Sequence, residues 1–264
     1  MKKYLVIGNP IEHSLSPKLH NYWIKNNNLN AIYDKKRLNE NELENLILEI
    51  KHKKIIGINV TVPFKKAVIP YLDRLSFEAE KTQSVNTIFL ENNNIVGHNT
   101  DIDGFKLAIK KLNFDMQNKK IFILGAGGVV SSIIFALNRM GVSEITISNR
   151  TKQNAENLKK LFNNLQIISW GEIPQFDVIV NATSIGLNKN DKINLDFSKV
   201  GHNKLFYDVI YNSKETNFLK TGRQLGNQSE NGKLMFIYQA LSAFKLWHGI
   251  NPEINNEIIK LLDQ

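Results

Sequence analysis

The segment from Lys119 to Thr151 leaves this chain few folds to choose from. Its apolar run Ile121-Phe122-Ile123-Leu124 reads as a buried strand and Gly125-Ala126-Gly127-Gly128 as a turn, while Val129, Ile133, Phe135 and Leu137 fall at helical spacing. Gly141 stops that helix, and residues 143–148 alternate Ile145 and Ile147 with polar neighbours as a second strand. The whole predicts a βαβ unit of about 30 residues. Glycines at such a turn let the backbone approach a pyrophosphate, whose charge then sits at the N-terminus of the following helix, where unpaired N–H groups point outward. The string departs from G-x-G-x-x-G, with Ser131 or a neighbouring small residue expected where the third glycine would stand. Taken alone, the glycines also fit an ordinary tight turn.

The end of the second strand favours the dinucleotide reading. An NAD site wants Asp or Glu about 20 residues beyond the turn, to hold the ribose 2′-hydroxyl. Here the chain offers Asn149-Arg150-Thr151-Lys152 and no acid. A guanidinium suits a phosphate dianion in fork geometry, so NADP is favoured over NAD.

With 264 residues the chain is long enough for two modest domains. A formal charge of +9 raises the question of a nucleic-acid partner, but the lysines are scattered among asparagines rather than gathered in a block. They read as a solvated surface that still attracts anionic substrates and phosphorylated cofactors. The absence of cysteine excludes disulfides, thiolate zinc sites and a cysteine nucleophile, and the six histidines form no close ligand pair, so no metal is expected. The apolar run Tyr4–Ile7 is too short for a signal peptide. The longest apolar tract, 234–247, is broken by Gln239 and Lys245 and falls short of the roughly 20 residues of a membrane span. A cytoplasmic protein without membrane or nucleic-acid partners is the expectation, monomeric or homodimeric.

In the first half, Tyr4–Ile7 and 55–62 read as buried strands. Ser14-Leu15-Ser16-Pro17 reads as a helix start, with Ser16 as cap and Pro17 where no N–H is needed; two hydroxyls at i and i+2 beside a positive helix end also suit a small carboxylate. Asn59 and Thr61 share one face of an otherwise apolar strand and need partners, which a ligand, a water or a loop would supply. Pro63-Phe64-Lys65-Lys66 is expected to open a helix, Asn92-Asn93-Asn94 to turn a hairpin, and Asp101 or Asp103 to cap a helix beginning near Phe105. Later, 177–180 reads as a strand whose polar end, Asn181-Ala182-Thr183-Ser184, lies where doubly wound sheets hold ligands. Leu205–Tyr211 reads as a last strand and 234–248 as a closing helix in which Gln239 is the polar exception.

Taken together, Ser14-Leu-Ser-Pro17, Asn59-Val-Thr-Val-Pro-Phe-Lys65, Val85-Asn-Thr87, Asn99-Thr-Asp101 with Gly104, Gly125-Ala-Gly-Gly128, Asn149-Arg-Thr151, Asn181-Ala-Thr-Ser184 with Gly186, and Tyr207-Asp208 with Tyr211 resemble the shikimate dehydrogenase family nearly end to end. The resemblance implies a two-domain α/β fold: an N-terminal open α/β substrate domain (1–101), a Rossmann-type doubly wound NADP-binding domain (102–235), and C-terminal helices (236–264) that return to the first, with a cleft between the two domains. It implies NADPH-dependent, reversible reduction of 3-dehydroshikimate to shikimate, in aromatic amino acid biosynthesis. Lys65 would be the acid/base group with Asp101 beside it. Ser14 and Ser16 would hold the substrate carboxylate, and Asn59, Thr61, Asn86, Asp101, Tyr211 and Gln239 would line the rest of the pocket. Gly125, Ala126, Gly127, Gly128 and Val129, then Asn149, Arg150, Thr151, Lys152 and Asn154, would hold the cofactor, with Thr183, Val209, Gly232 and Met235 approaching it too. Four departures from the family pattern stand out. Asn154 replaces a usual basic residue, leaving Lys152 to compensate. Thr82-Gln83-Ser84 replaces Ile-Gly-Ala, Ser213 replaces a proline, and Lys233-Leu234 replaces a more glycine-rich approach to Met235. The rival readings are a quinate/shikimate enzyme using NAD and a non-catalytic shikimate-binding relative.

Overall fold

The computed structural model describes residues 1–263, which form two compact units: Met1–Gly104 with the chain from Ile237 onward, and Phe105–Phe236. In chain order the first unit begins with β1 (Lys2–Gly8), α1 (Ser16–Asn26), β2 (Ala31–Arg37), α2 (Leu43–Lys51) and β3 (Gly57–Val60). It continues with β4 (Arg74–Leu75), α3 (Phe77–Thr82), β5 (Thr87–Glu91), β6 (Asn94–His98) and the start of α4 (Asp101–Lys111). Its strands lie in the order β2-β1-β3-β5-β6-β4, with β1 parallel to both β2 and β3 and β5 antiparallel to its neighbours. The hairpin between β5 and β6 turns on Asn92 and Asn93, both left-handed (φ 49° and 63°), a conformation asparagine adopts more readily than most residues.

Local chemistry changes three expected boundaries. Residues 62–68 form successive turns rather than an α-helix, with Phe64 N–H bonded to Thr61 O and Val68 N–H to Phe64 O, before a 3₁₀ turn at Ile69–Tyr71. Pro70 has no N–H with which to continue an α ladder. The helix-start reading of Lys65 is therefore replaced by a turn. At Ser14–Pro17 it is Ser14 that serves the helix end, its Oγ accepting from Ser16 N–H at 3.3 Å, while Ser16 is already the first helical residue. And α4 begins at Asp101 rather than near Phe105, with Asn99 Oδ1 accepting from the Asp101 N–H at 3.2 Å. The strand β2 escapes periodicity because only Tyr33 within it is buried.

The second unit runs β7 (Lys120–Leu124), α5 (Val130–Arg139), β8 (Glu144–Ser148), α6 (Lys152–Leu161), β9 (Leu165–Ile168) and β10 (Val178–Asn181), then β11 (Leu205–Asp208), α7 (Asn217–Gln224) and β12 (Gln228–Glu230). The chain then passes through α8 (Lys233–His248) back into the first unit, which ends with α9 (Asn256–Asp263). The sheet order is β12-β11-β10-β7-β8-β9, with every pairing parallel. This is the doubly wound arrangement, whose strand order reverses between β7 and β10, and ligands bind outside the carboxyl ends of strands at such a reversal. The three-residue β12 is too short and polar to be read from sequence, and β11 stops at Asp208, three residues before Tyr211. Val130, fully buried and first in α5, stands at the third-glycine position, so the residue there is branched rather than small.

In the first unit α1, β2 and α8 meet in an aromatic core. His20 stacks on Tyr33 (centroids 4.2 Å, planes 6° apart) and lies within 6.0 Å of the rings of Trp23, Phe244 and Trp247. Trp247 lies against Gly57, where any Cβ would fall 2.6 Å from its ring. Burial holds the His20 imidazole down to about pKa 3. The neutral form is thus the one the folded state prefers, and stability is lost as pH falls from the unfolded histidine value near 6.5 toward 3. At about pH 5 the expected loss from this residue is roughly 2 kcal/mol relative to neutral pH. Urea unfolding at the two pH values checks it: His20→Gln should flatten the dependence, and an unaltered slope would contradict the assignment.

Candidate active site

Lys65 follows the end of β3 through the turn at Pro63, and its backbone carbonyl accepts from Val85 N–H at 2.8 Å. Asp101 opens α4. The two side chains meet at 2.5 Å, Lys65 Nζ to Asp101 Oδ2, and are only 12% and 8% exposed. The other carboxylate oxygen of Asp101 accepts from Asn86 Nδ2 at 3.0 Å, and the same amide nitrogen lies 2.9 Å from Thr100 Oγ1 and 3.5 Å from Gln239 Oε1 on α8. Asn86 Oδ1 in turn accepts from the Thr100 N–H at 2.7 Å. A cation, an anion and two carboxamides thus share one partly buried corner of the first unit.

Asn59 stands behind this corner. Its Nδ2 donates to Asn86 O at 3.1 Å and Thr87 Oγ1 at 3.0 Å, and its Oδ1 accepts from Tyr33 Oη at 2.7 Å. Its side-chain nitrogen and oxygen both have partners within the protein, and the bond to Asn86 O ties it to the back of the corner. Tyr33, which carries no motif, is the residue that sequence reasoning missed; the one trace it leaves is a single aromatic in a polar strand. Tyr33→Phe would leave the buried Asn59 oxygen without that donor, so a loss of about 1–3 kcal/mol in unfolding free energy is expected. Chemical denaturation measures it, and equal stability would remove Tyr33 from the support.

The departure at Thr82-Gln83-Ser84 has a structural counterpart. Asn99 Nδ2 donates to Thr82 Oγ1 at 2.9 Å and Ser84 O at 3.0 Å, which fixes the residue whose Oδ1 receives the Asp101 N–H. Gln83, where the family resemblance has glycine, takes a left-handed φ of 47° at the end of α3. Ser14, Ser16 and Thr61 also belong to the first unit, with Ser16 buried and the other two half-buried. Tyr211 belongs to the second, stacked on Phe236 at 4.3 Å.

In the second unit Gly125 leaves β7 with φ 104°, and a Cβ there would strike the Ala182 carbonyl carbon and oxygen. Gly127 and Gly128 are exposed at the N-terminus of α5, whose first turn carries no acid. That backbone fits a dinucleotide pyrophosphate. At the end of β8, Arg150 and Lys152 are exposed, α6 has no acid in its first turn, and the cap residue Thr151 makes no side-chain cap bond, leaving its hydroxyl open to a ligand. Asn149 Nδ2 closes the turn on Thr151 O at 2.8 Å, and Asn154, also exposed, donates its N–H to Thr151 O at 3.1 Å. Two cations beside an uncapped helix end suit a phosphate dianion. Thr183 lies past the end of β10, Val209 past the end of β11, and Gly232 and Met235 at the start of α8. Gly232 N–H bonds Ile210 O at 3.0 Å, and its missing Cβ is what lets the backbone lie against the Val209 carbonyl.

The strand order and the glycine turn define the class: a two-unit α/β protein whose second unit is of the Rossmann dinucleotide-binding type. Comparison with known proteins narrows it. Residues 6–88 match the family model of the shikimate dehydrogenase substrate binding domain, and residues 106–195 match that of shikimate / quinate 5-dehydrogenase. A shikimate dehydrogenase (NADP(+)) of Pelagibacter ubique is 57% identical over 262 residues, covering 99% of each chain. The crystal structure of shikimate dehydrogenase from Aquifex aeolicus superposes with a TM-score of 0.90 at 36% identity, covering 99% of this chain and 97% of that one. A Thermus thermophilus shikimate 5-dehydrogenase in complex with NADP(H) and shikimate gives a TM-score of 0.89 at 29% identity, covering 100% and 98%. The chain belongs to the shikimate dehydrogenase family.

Proposed function

We propose that this chain catalyses the reversible, NADPH-dependent reduction of 3-dehydroshikimate to shikimate. The observation that carries the reading is the contact of Lys65 Nζ with Asp101 Oδ2 in a partly buried corner lined by Asn86 and Gln239. NADPH, when bound, supplies the hydride for the ketone carbon. Negative charge then develops on the ketone oxygen, and the Lys65 ammonium stabilises it and delivers the proton that completes the alcohol; in the reverse direction the neutral amine takes the proton back. Asp101 holds the ammonium in place and is itself held by Asn86 and by the Asn99-capped start of α4. Ser14 and Ser16 present hydroxyls for the substrate carboxylate, while Thr61, Asn86, Tyr211 and Gln239 meet its hydroxyls or walls, with Asn59 behind Asn86.

For the cofactor, the residue chemistry favours NADP. Arg150 and Lys152 supply two cations where an acid would be needed for the ribose diol of NAD, and Lys152 takes over from the family's usual base at position 154. Mixing pure protein with NADP and shikimate tests the reading: reduced-nicotinamide absorbance should grow in proportion to enzyme. No growth with NADP and shikimate would overturn the proposed activity; growth confined to NAD and quinate would move the chain to the rival enzyme.

A further inference from the structure

The carboxyl ends of β10 and β11 carry a side-chain cluster that the reaction described above leaves without a role. Asp208 is fully buried, and its carboxylate accepts three hydrogen bonds: Oδ1 from the Ile210 N–H at 3.0 Å and from Asn181 Nδ2 at 3.1 Å, and Oδ2 from Thr216 Oγ1 at 2.7 Å. Asn181, also fully buried, extends the chain of contacts. Its Oδ1 accepts from both the N–H and the Oγ1 of Thr183, at 3.1 and 2.7 Å, and its Nδ2 also donates to Ile185 O at 3.1 Å. The backbone repeats the tie, since Val209 N–H bonds Asn181 O at 3.0 Å. Across the same gap, a Cβ on Gly186 would lie 3.1 Å from side-chain carbons of Ile210 and Thr216, so the two loops pack without slack.

The chemistry of the partners dictates a carboxylate. The Ile210 N–H cannot accept, and the Asn181 amide is oriented by Thr183, which takes up its oxygen. Thr216 Oγ1 accepts from the Leu219 N–H at 3.4 Å and donates its own proton to Asp208. Three donors therefore converge on the two carboxyl oxygens, whereas an asparagine here would either turn its oxygen away from two of them or turn its NH₂ toward the third. Among the described residues no cation pairs with Asp208; its charge and that of Glu230 on β12 both act on the buried Tyr207 phenol. Burial raises the Asp208 pKa to about 6 even though the three hydrogen bonds pull it down.

We infer that Asp208 is a positioning residue for the reaction, tying the 181–186 and 209–216 loops together so that Thr183 and Val209 are set for the cofactor. The inference rests on the reading that these two residues face NADP.

Asp208→Asn in the full chain is the test, with Thr216→Val and Thr216→Ser alongside. With Asp208→Asn, kcat should fall by about 10–10²-fold and KM for NADP should rise, as expected of a small misplacement of reacting groups, while KM for shikimate stays within about twofold. Amide exchange should quicken in both loops and nowhere else. Thr216→Val should reproduce the kinetic loss, and Thr216→Ser, which keeps the hydroxyl, should restore it. Because a raised pKa makes folded-state stability fall as pH climbs through about 6, the neutral asparagine should melt at or above the native chain near pH 8. Unchanged kcat with unchanged loop exchange would overturn the inference alone. Faster exchange in the loops with unchanged kinetics would instead overturn the assignment of Thr183 and Val209 to the cofactor. Lower melting with faster exchange throughout the unit would reduce Asp208 to a structural group and likewise overturn the inference.

Discussion

Lys65→Ala is expected to lower turnover by roughly 10²–10⁴-fold while leaving shikimate binding nearly intact. The reason is geometric. The ammonium sits against Asp101 in a corner whose other walls are carboxamides, so no second proton donor of comparable strength stands beside it in that corner. The developing oxyanion would have to draw its proton from water. Binding is expected to survive because the proposed carboxylate contacts are those of Ser14 and Ser16, on the segment that enters α1, and not of Lys65. Steady-state kinetics in both directions, with shikimate binding measured calorimetrically, separates the two effects. A variant that keeps its turnover would remove Lys65 from the chemistry; one that loses affinity and turnover in equal measure would make it a binding group.

The second large effect is expected at the end of β8. Replacing Arg150 and Lys152 together by alanine should raise KM for NADP by about 10²–10⁴-fold, since charge-assisted hydrogen bonds are each worth about 1.5–3 kcal/mol. KM for NAD should change by less than a few-fold. Each single variant should retain part of the preference, with the share lost in Lys152→Ala measuring how far it stands in for a base at Asn154. Parallel loss with NAD and NADP would show that the two cations do not read the 2′-phosphate.

Much of this was legible in the sequence, for identifiable reasons. The glycine turn and its flanking strands are readable because a parallel strand buried on both faces is an unbroken apolar run, as Ile121–Leu124 and Val178–Val180 are, and because an early glycine of the turn has no room for a side chain. The all-parallel second sheet and its order follow from that unit once it is repeated. Where polar partners rather than apolar periodicity set the structure, the reading failed or fell short. The strand β2 shows one buried residue in seven, and β12 is three polar or half-buried residues held by pairing with β11 and by Ser229 Oγ donating to Leu219 O. The stretch at Lys65 looks helical until Pro70 denies it a ladder bond. A small residue is the natural expectation at the third-glycine position, yet α5 begins there with a buried valine.

The site shows the same division. Lys65, Asp101 and Asn86 were nameable from their motifs and Gln239 as the polar exception in its helix, and their convergence in the first unit is long-range: 36 residues separate Lys65 from Asp101 and 153 separate Asn86 from Gln239. No spacing rule spans such distances. Tyr33 and Asp208 were invisible as working residues because each acts through another side chain, Asn59 in one case and Asn181 in the other. A tyrosine in a polar edge strand and an aspartate at a strand end are ordinary residues until the partner is known.

The measurement that tests the account most directly is kcat/KM for the four pairings of shikimate or quinate with NADP or NAD, on the unmodified protein. Shikimate with NADP should exceed each of the other three by at least about tenfold, the margin that one lost hydrogen bond or charge contact of about 1.4 kcal/mol already produces. A chain that turned over quinate with NAD faster than shikimate with NADP, or that bound shikimate and turned over nothing, would contradict it.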